Sequence, residues 1–398
     1  MTSKERVRTA VAHRESDRIP VFELSINSPV ASDIMGRQMY VGYGGWLVGK
    51  MFSEYMMEER TLELVMRIFQ DSIELYSHLE LDLYPLPTLP LTTERVEPVG
   101  ENQWKYTDPD SGFWRIITYN PESDFHSEID SKLKQEGIEA LREYVNWLEQ
   151  CPSIAPPDMV AGLKAVLEPA RERFFVLGQA DILLPTGSSW LPLFLECMAL
   201  EPELVERYFE ATTTEMLSLI DAQAEAGVDG FIGGTDLAHT RSTLISPAMF
   251  RRFIFPHLRR ITERCHSHSL AFFKHTDGNI ESIEREFLLE CGLDGYHAIE
   301  PSAGMDIRRL KQQYGDKITL LGNVDCGQVL TNGSQKDIID AVRRCIRDAA
   351  PGGGYVLSSS NSIHSGIPTE NFLTLLKAAR EYGAYPIGAA DSARRGRM

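Results

Sequence analysis

Leu270-Ala271-Phe272-Phe273-Lys274-His275-Thr276-Asp277-Gly278-Asn279 is a short, mostly apolar run that breaks off into a polar turn. A run of this length bounded by glycine suits a buried parallel strand. The same unit recurs. Candidate strands at Ile19–Leu24, Leu81–Leu86, Phe174–Leu177 and Val228–Ile232 precede it, and Gly295–Ile299, Ile318–Leu321 and Tyr355–Leu357 follow. Helical patterns fill the intervals at Met56–Leu79, Glu203–Ala226, Pro247–Ser267, Ile280–Cys291, Asp306–Tyr314, Ser334–Ala350 and Thr369–Tyr382. Ser246-Pro247, Ser334 and Pro368-Thr369-Glu370 supply helix starts, and Gly227, Gly292 and Gly315 stand where helices should stop. Eight strands alternating with helices predict an α/β chain folded as a (β/α)8 TIM barrel. An open doubly wound sheet is the alternative, and no Gly-rich first turn supports it.

One interval departs from this rhythm. Gln103–Thr107 and Phe113–Tyr119 alternate around Asp108-Pro109-Asp110-Ser111-Gly112, which is a β-hairpin signal, and the helical stretch Ile138–Leu148 follows. This predicts a hairpin-plus-helix insertion at about residues 92–150, between the second and third strands and bordering the mouth. The remainder of residues 1–385 reads as one barrel domain, and residues 386–398 as a mobile tail.

Composition narrows the function classes. The 398 residues are 43% hydrophobic and 24% charged, as in an ordinary globular protein. A net charge of −17 disfavours a nucleic-acid partner. Met1–Arg18 has no apolar leader core, and no stretch approaches the roughly 20 apolar residues of a spanning helix. Six scattered cysteines without a Cys-x-x-Cys pair suit reduced thiols and a cytoplasmic location.

Barrels of this kind carry their reactive residues just after the strands. Those positions hold Glu23 and Asn27, Gln179 and Asp181, Gly233-Gly234-Thr235-Asp236, His275 to Asn279, His297 and Glu300-Pro301, Asn323 to Cys326, and Ser358 to His364. Polar groups recurring in that phase predict one polar mouth. His275 and Asp277, two apart in extended chain, face one side. Together they suit a divalent metal or an acid–base pair; the alternative is a helix-capping Asp277 beside a core histidine. Two glycines before Asp236 would let backbone approach a ligand, or Asp236 would simply bond its own loop. Glu300, held extended by Pro301, could join a metal shell or a salt bridge. The Ser358–Ser362 run around Asn361 could bind ligand oxygens or satisfy its own loop. His364 could serve the same ligand or face solvent. Cys326 is a soft metal ligand or a small buried hydrophobe. His266 and His268 read as surface or packing residues, and Met51, Met56 and Met57 as core or lid.

These residues also carry a resemblance. Arg6-Val7, Ala12-His13-Arg14 and Asp17-Arg18-Ile19-Pro20-Val21 resemble the opening helix and strand of the uroporphyrinogen decarboxylase (URO-D) superfamily. Ile245-Ser246-Pro247, the His275–Asn279 turn, Leu321-Gly322-Asn323-Val324-Asp325 and Gly353-Gly354-Tyr355-Val356-Leu357-Ser358 through Asn371 are similar as well. The resemblance spans nearly the whole chain except the insertion, and it implies tetrapyrrole decarboxylation or cobamide-dependent methyl transfer. Decarboxylases of the family carry arginines soon after the first strand. Here Phe22-Glu23-Leu24-Ser25-Ile26-Asn27-Ser28-Pro29 has none, and Glu23 would repel a polycarboxylate. The methyltransferase branch binds zinc through a His-x-Cys pair and a later cysteine; here His275 remains, with Asp277 and Asn361 at the cysteine positions.

The resemblance therefore implies a harder metal shell of His275, Asp277, Glu300 and Asn361, holding zinc or another divalent ion and suited to an oxygen-bearing substrate. The expected activity is methyl transfer from a small methylated molecule to a corrinoid. That corrinoid would be free or on a partner protein, because no Asp-x-His-x-x-Gly segment is present. His275, Asp277 and Glu300 are the expected catalytic residues. Glu23, Asn27, Asp236, Asn279, Asn323, Asp325, Ser360, Asn361 and His364 are the expected substrate contacts. A lyase acting on a uroporphyrinogen-like or smaller carboxylate is the alternative, and a non-catalytic tetrapyrrole-binding barrel the third reading. The superfamily also implies a homodimer.

Overall fold

The computed structural model describes residues 1–387 apart from 88, 90–92 and 153. The short apolar runs become β1 (Leu83–Pro85), β6 (Phe175–Gln179), β7 (Gly230–Gly233), β8 (Ala271–His275), β9 (Gly295–His297), β10 (Thr319–Val324) and β11 (Tyr355–Ser359). They form one parallel seven-stranded sheet in that order. Helices lie between successive strands, and the strands are buried along nearly their whole length and mostly apolar.

The first expected strand, Ile19–Leu24, is reduced to one parallel bridge between Val21 and Leu357. Its backbone nonetheless reaches both ends of the sheet. Phe22 N–H donates to Leu357 O at 2.9 Å, Leu357 N–H to Pro20 O at 2.9 Å, and Asp82 N–H to Val21 O at 2.9 Å. Pro20 has no N–H to extend the ladder, which helps to explain the short pairing. Phe22, Leu83, Phe175, Leu177, Ile232, Phe273, Leu321 and Val356 then meet in one buried cluster, with a member from every part of this ring except β9. At β9 the inward position is Gly295, where a Cβ would stand 2.6 Å from the Phe273 ring. The arrangement is barrel-like, with the interior filled by side chains.

Three aspartates immediately precede strands and tie the amino-terminal rim together. Asp82 accepts from Val21 N–H (2.9 Å), Asp229 from Val176 N–H (3.1 Å) and Asp294 from Phe272 N–H (2.7 Å). Each also has a cation or histidine: Arg6 (2.7 Å) and Arg18 (2.6 Å) on Asp82, Lys4 (2.6 Å) and Arg8 (2.9 Å) on Asp229, and His266 (2.8 Å) on Asp294.

The insertion is larger than the expected hairpin. It is a four-stranded antiparallel meander, β2 (Arg95–Gly100), β3 (Gln103–Thr107), β4 (Trp114–Asn120) and β5 (Phe125–Ser131), followed by a helix at Ile138–Gln150. The two strands that escaped the sequence reading are its edges, where few side chains are buried and no apolar alternation arises. Trp104, Tyr106 and Tyr119 pack it against Trp46 and Met56. Expected helices at Glu203–Ala226 and Thr369–Tyr382 are present as Pro202–Ala226 and Thr369–Tyr382. Ser334 forms a capping box with Asp337. Met56–Leu79, expected as one helix, is divided into Phe52–Met57 and Thr61–His78. Ile280–Cys291 holds only a wide helical turn at Glu286–Glu290. Of the expected tail, residues 388–398 lie outside the described residues.

Candidate functional site

At the opposite rim, the polar turn after β8 meets the ends of β7 and β9. Gly278 takes φ +85°, and its missing Cβ would stand 2.5 Å from the backbone of Ala238. Only glycine fits that close turn. It brings Asp277 back toward the loop after β7, where Asp277 N–H donates to Asp236 Oδ1 at 2.9 Å. His275, Asp277 and Asp236 then converge, with one ligand atom from each lying within 4.8 Å of the others. His275 Nε2 is 3.5 Å from Asp236 Oδ1 and 3.6 Å from Asp277 Oδ1. Neither distance is a hydrogen bond. Asp277 Oδ1 is buried without a hydrogen-bond partner, while its Oδ2 accepts from Asn361 Nδ2 at 2.5 Å.

Behind the cluster, β8 and β9 pair in register with His275 beside His297. His275 Nδ1 lies 2.8 Å from His297 Nδ1, and His297 Nε2 lies 3.1 Å from Ser358 Oγ. The Ser358 hydroxyl donates to Ser359 O at 2.9 Å. Below them Lys274, fully buried, donates to Asp181 Oδ2 (2.9 Å), Thr235 O (2.7 Å) and His275 O (2.6 Å). All three of its N–H groups are used, and they fix the loop that carries Asp236.

Burial dominates the titration of this rim. It pushes His275 down to about 3, helped by the Lys274 charge. His297 is held well below the ordinary histidine value by burial and then by His275. Asp277 is raised to about 7 by burial, then by the charges of Asp236 and Glu300, against the hydrogen bond from Asn361. The site thus holds neutral imidazoles facing carboxyl groups that pair with no Lys or Arg among the described residues.

The other expected site residues divide. Asn27 and His364 meet at a cavity of about 780 Å³ bounded by Trp46, Asp124, Phe125 and Ser362. Asn361 joins that cavity to the cluster, since its Oδ1 accepts from Ser362 N–H at 2.6 Å. Glu300 sits beside the cluster, but it accepts from Gly278 N–H at 2.8 Å and from Ser302 Oγ. In the structure Asp236, not Glu300, groups with the histidine.

Several residues expected to touch substrate instead hold loops. Asn279 bonds Ala303 O (3.0 Å) and Glu281 N–H (3.0 Å). Asn323 is buried between Ile299 O (2.8 Å) and Cys345 Sγ (3.5 Å). Asp325 caps a turn through Gln328 N–H at 2.7 Å, and Ser360 Oγ accepts from Cys326 N–H at 3.1 Å. Glu23 is fully enclosed, with Oε1 and Oε2 on Ser359 N–H (3.1 Å) and Oγ (2.5 Å); burial raises its pKa to about 8. Two further readings change. Gly233 makes room for Asp181, whose carboxyl a Cβ would meet at 2.8 Å, rather than for a ligand. Ser358 and Ser359 are fully buried and bond His297 and Glu23 rather than a ligand. Cys326 follows its buried-hydrophobe reading, a thiol raised by burial to about 12.

Sequence reasoning placed His297 at a strand end but gave it no role, and passed over Lys274 as an interior strand residue. The β8–β9 register is the signal for His297, and it exists only once the strands are paired. Lys274 carries a signal of its own, a lysine inside an otherwise apolar strand.

Comparisons with known proteins agree with this architecture. A family model described as Uroporphyrinogen decarboxylase (URO-D) matches residues 185–382. The chain is 25% identical over 189 residues to the uroporphyrinogen decarboxylase of Coxiella burnetii, covering 46% of this chain and 48% of that one. It is 25% identical over 230 residues to Methylcobamide:CoM methyltransferase MtaA of Methanosarcina barkeri, covering 57% and 64%. The chain spans less than two thirds of the length of either relative. A methyltransferase from Methanosarcina mazei shares the fold, with a TM-score of 0.63 at 19% identity over 96% of this chain and 99% of the other. Residues 185–382, which hold the candidate site, form a URO-D domain, and this part of the chain belongs to the uroporphyrinogen decarboxylase superfamily.

Proposed function

We propose that this protein is a methyltransferase-type member of the superfamily, taking a methyl group from a small oxygen-bearing substrate and passing it to a corrinoid that is free or carried by a partner protein. The observation that carries the reading is the convergence of His275 Nε2 with Asp236 and Asp277 at the rim. One imidazole nitrogen and two carboxylates are a donor set for zinc or another divalent cation of similar hardness. The orphaned, buried Asp277 Oδ1 fits such an ion. When bound, the ion supplies Lewis-acid polarisation of a substrate oxygen. Asn361 orients Asp277, and Asn27 with His364 line the adjoining cavity where the rest of the substrate would sit. This assigns the ion to Asp236, His275 and Asp277, with Glu300 and Asn361 supporting them.

The decarboxylase reading, favoured by the Coxiella relative, needs cations for several carboxylates. Lys274 is already spent on Asp181 and two carbonyls, and the cluster itself is acidic. We further propose one barrel over residues 1–385, closed by segment 20–22, with the insertion at about 92–150. A cytoplasmic location and a homodimer complete the reading. Among the described residues no helix is long and apolar enough to cross a membrane.

Metal analysis of protein purified without chelators tests the site. One equivalent in the wild type, and loss in His275→Ala and Asp277→Ala, is expected; no stoichiometric metal in the wild type overturns it. The visible spectrum of cob(I)alamin, incubated with methylated alcohols or ethers, tests the reaction. Carbon dioxide release from carboxylate substrates without any corrinoid methylation would overturn the methyl-transfer assignment.

A further inference from the structure

The sequence left His275 with two roles, metal ligand or half of an acid–base pair. Hydrogen bonding behind the ring separates them, because each proton in the chain can be counted. The Ser358 hydroxyl has one hydrogen and directs it to Ser359 O at 2.9 Å. Toward His297, 3.1 Å away, Ser358 Oγ can therefore only accept, so His297 Nε2 carries a hydrogen. A neutral imidazole has one N–H, which leaves His297 Nδ1 as an acceptor. Its partner at 2.8 Å is His275 Nδ1, which must then be the donor. The last nitrogen in the series, His275 Nε2, is left as a bare lone pair. It points at Asp236 and Asp277, whose oxygens, once ionised, can only accept.

We propose that His297 is a positioning residue that locks His275 in its Nδ1–H tautomer and so dedicates Nε2 to a cation. The inference rests on the cation reading of the cluster and deepens it, since it names the device that selects ligation over hydrogen bonding. Two further observations support it. His297 is fully buried, and the Phe22 ring packs edge-on against it at 5.6 Å and 75°, which restrains the imidazole from flipping. Distances in the same protein show what the other tautomer would look like. His266 Nε2 and His268 Nε2 sit 2.8 and 2.7 Å from Asp294 and Asp221, as N–H donors do. His275 Nε2 stays 3.5 and 3.6 Å from its two aspartates, a gap that an intervening ion would fill. Ligating histidines are commonly fixed by a partner on the second nitrogen; here that partner is a histidine with its own orientation set by a serine.

The tautomer is directly measurable. In full-length, metal-free protein with 15N-labelled histidine, long-range 1H–15N correlation spectra should show His275 protonated at Nδ1 and bare at Nε2, with the resonance identified by its loss in His275→Gln. Titration with Zn2+ should give a Kd about 10–100-fold weaker for His297→Leu. His297→Asn, whose Oδ1 can still accept from His275 Nδ1–H, should stay within about threefold of the wild type and retain the tautomer. Observation of His275 as the Nε2–H tautomer in the wild type overturns the proposal, as does wild-type zinc affinity in a folded His297→Leu. The spectrum of the wild type stands even if a variant does not fold. Nδ1–H without any zinc binding would leave the lock in place and remove the cation reading instead.

Discussion

The two rims of the sheet treat acidic residues in opposite ways. At the amino-terminal rim Asp82, Asp229 and Asp294 each accept a neighbouring strand's N–H, and each faces Arg, Lys or His within 2.9 Å. At the mouth Asp236 and Asp277 face each other and a neutral histidine, and one Asp277 oxygen has no partner. His266 and His275 make the contrast concrete. Hydrogen bonding to Asp294 raises His266 above its ordinary value, whereas burial drives His275 down to about 3. Matched charge at one rim stabilises the fold; unmatched charge at the other is what the proposed cation would neutralise.

Removing a matched charge should cost most. Asp82 is fully buried and serves Arg6, Arg18, Ser3 and the Val21 N–H. Asp82→Ala should lose about 3–5 kcal/mol in urea denaturation, because two guanidinium groups are left without their buried partner. A loss under about 1 kcal/mol would mean that the rim is not a clamp.

At the mouth His275→Ala should weaken Zn2+ binding by at least about 100-fold in calorimetric titration, through loss of one direct ligand. His266→Ala and His268→Ala should change it by less than about twofold. Equal effects from all three would erase the contrast between the rims.

Asp277→Asn should do what no substitution at Asp82 can do, and stabilise the metal-free protein. Asp277 is raised from 3.8 to about 7 in the fold. Between those values the native state binds a proton that the unfolded state does not, so the wild type loses stability as pH rises through that window. The variant should gain about 1–3 kcal/mol at about pH 8, and the gain should vanish near pH 4. Thermal melts at both pH values, with chelator present, would show a pH-independent difference if the carboxylate is not strained.

The smallest effect belongs to His266. Its raised value means that its bond to Asp294 contributes stability below pH 6.5, and that this contribution is lost as pH rises through the folded value. His266→Gln should cost under about 1 kcal/mol at about pH 5.5, since the pair is partly exposed, and nothing measurable at about pH 9. A deficit that grows with pH would contradict the pairing.

Much of the barrel-like sheet was legible because a buried parallel strand is an apolar run with abrupt ends, and seven such runs became strands. Ile19–Leu24 misled because its pairing stops at a proline and gives way to the enclosed Glu23. The edges of the insertion were illegible because they bury too little to alternate. Around the site, the phase of polar residues located the rim and drew attention to His275 and Asp277. It did not separate ligand from scaffold. Asn279, Asn323 and Asp325 have the same side chains as binding residues but use them on backbone groups or a buried thiol, and for Asn279 and Asn323 that choice is made by neighbours distant in sequence. The partnership of His275 with His297 was hidden for the same reason, since strand register rather than spacing brings the rings together.

The bridge between Val21 and Leu357 has a consequence for how the chain acquires its shape. During synthesis residues 20–22 precede Leu357, one of their two partners, by more than 330 residues. Local βα units can form as they are made, whereas this contact must close a loop of more than 330 residues. The Phe22 ring therefore lacks its β11 neighbour Val356 until that strand is made. A nascent chain stalled before Leu357 would hold most of its helices and strands, but lack the contact that seals the interior.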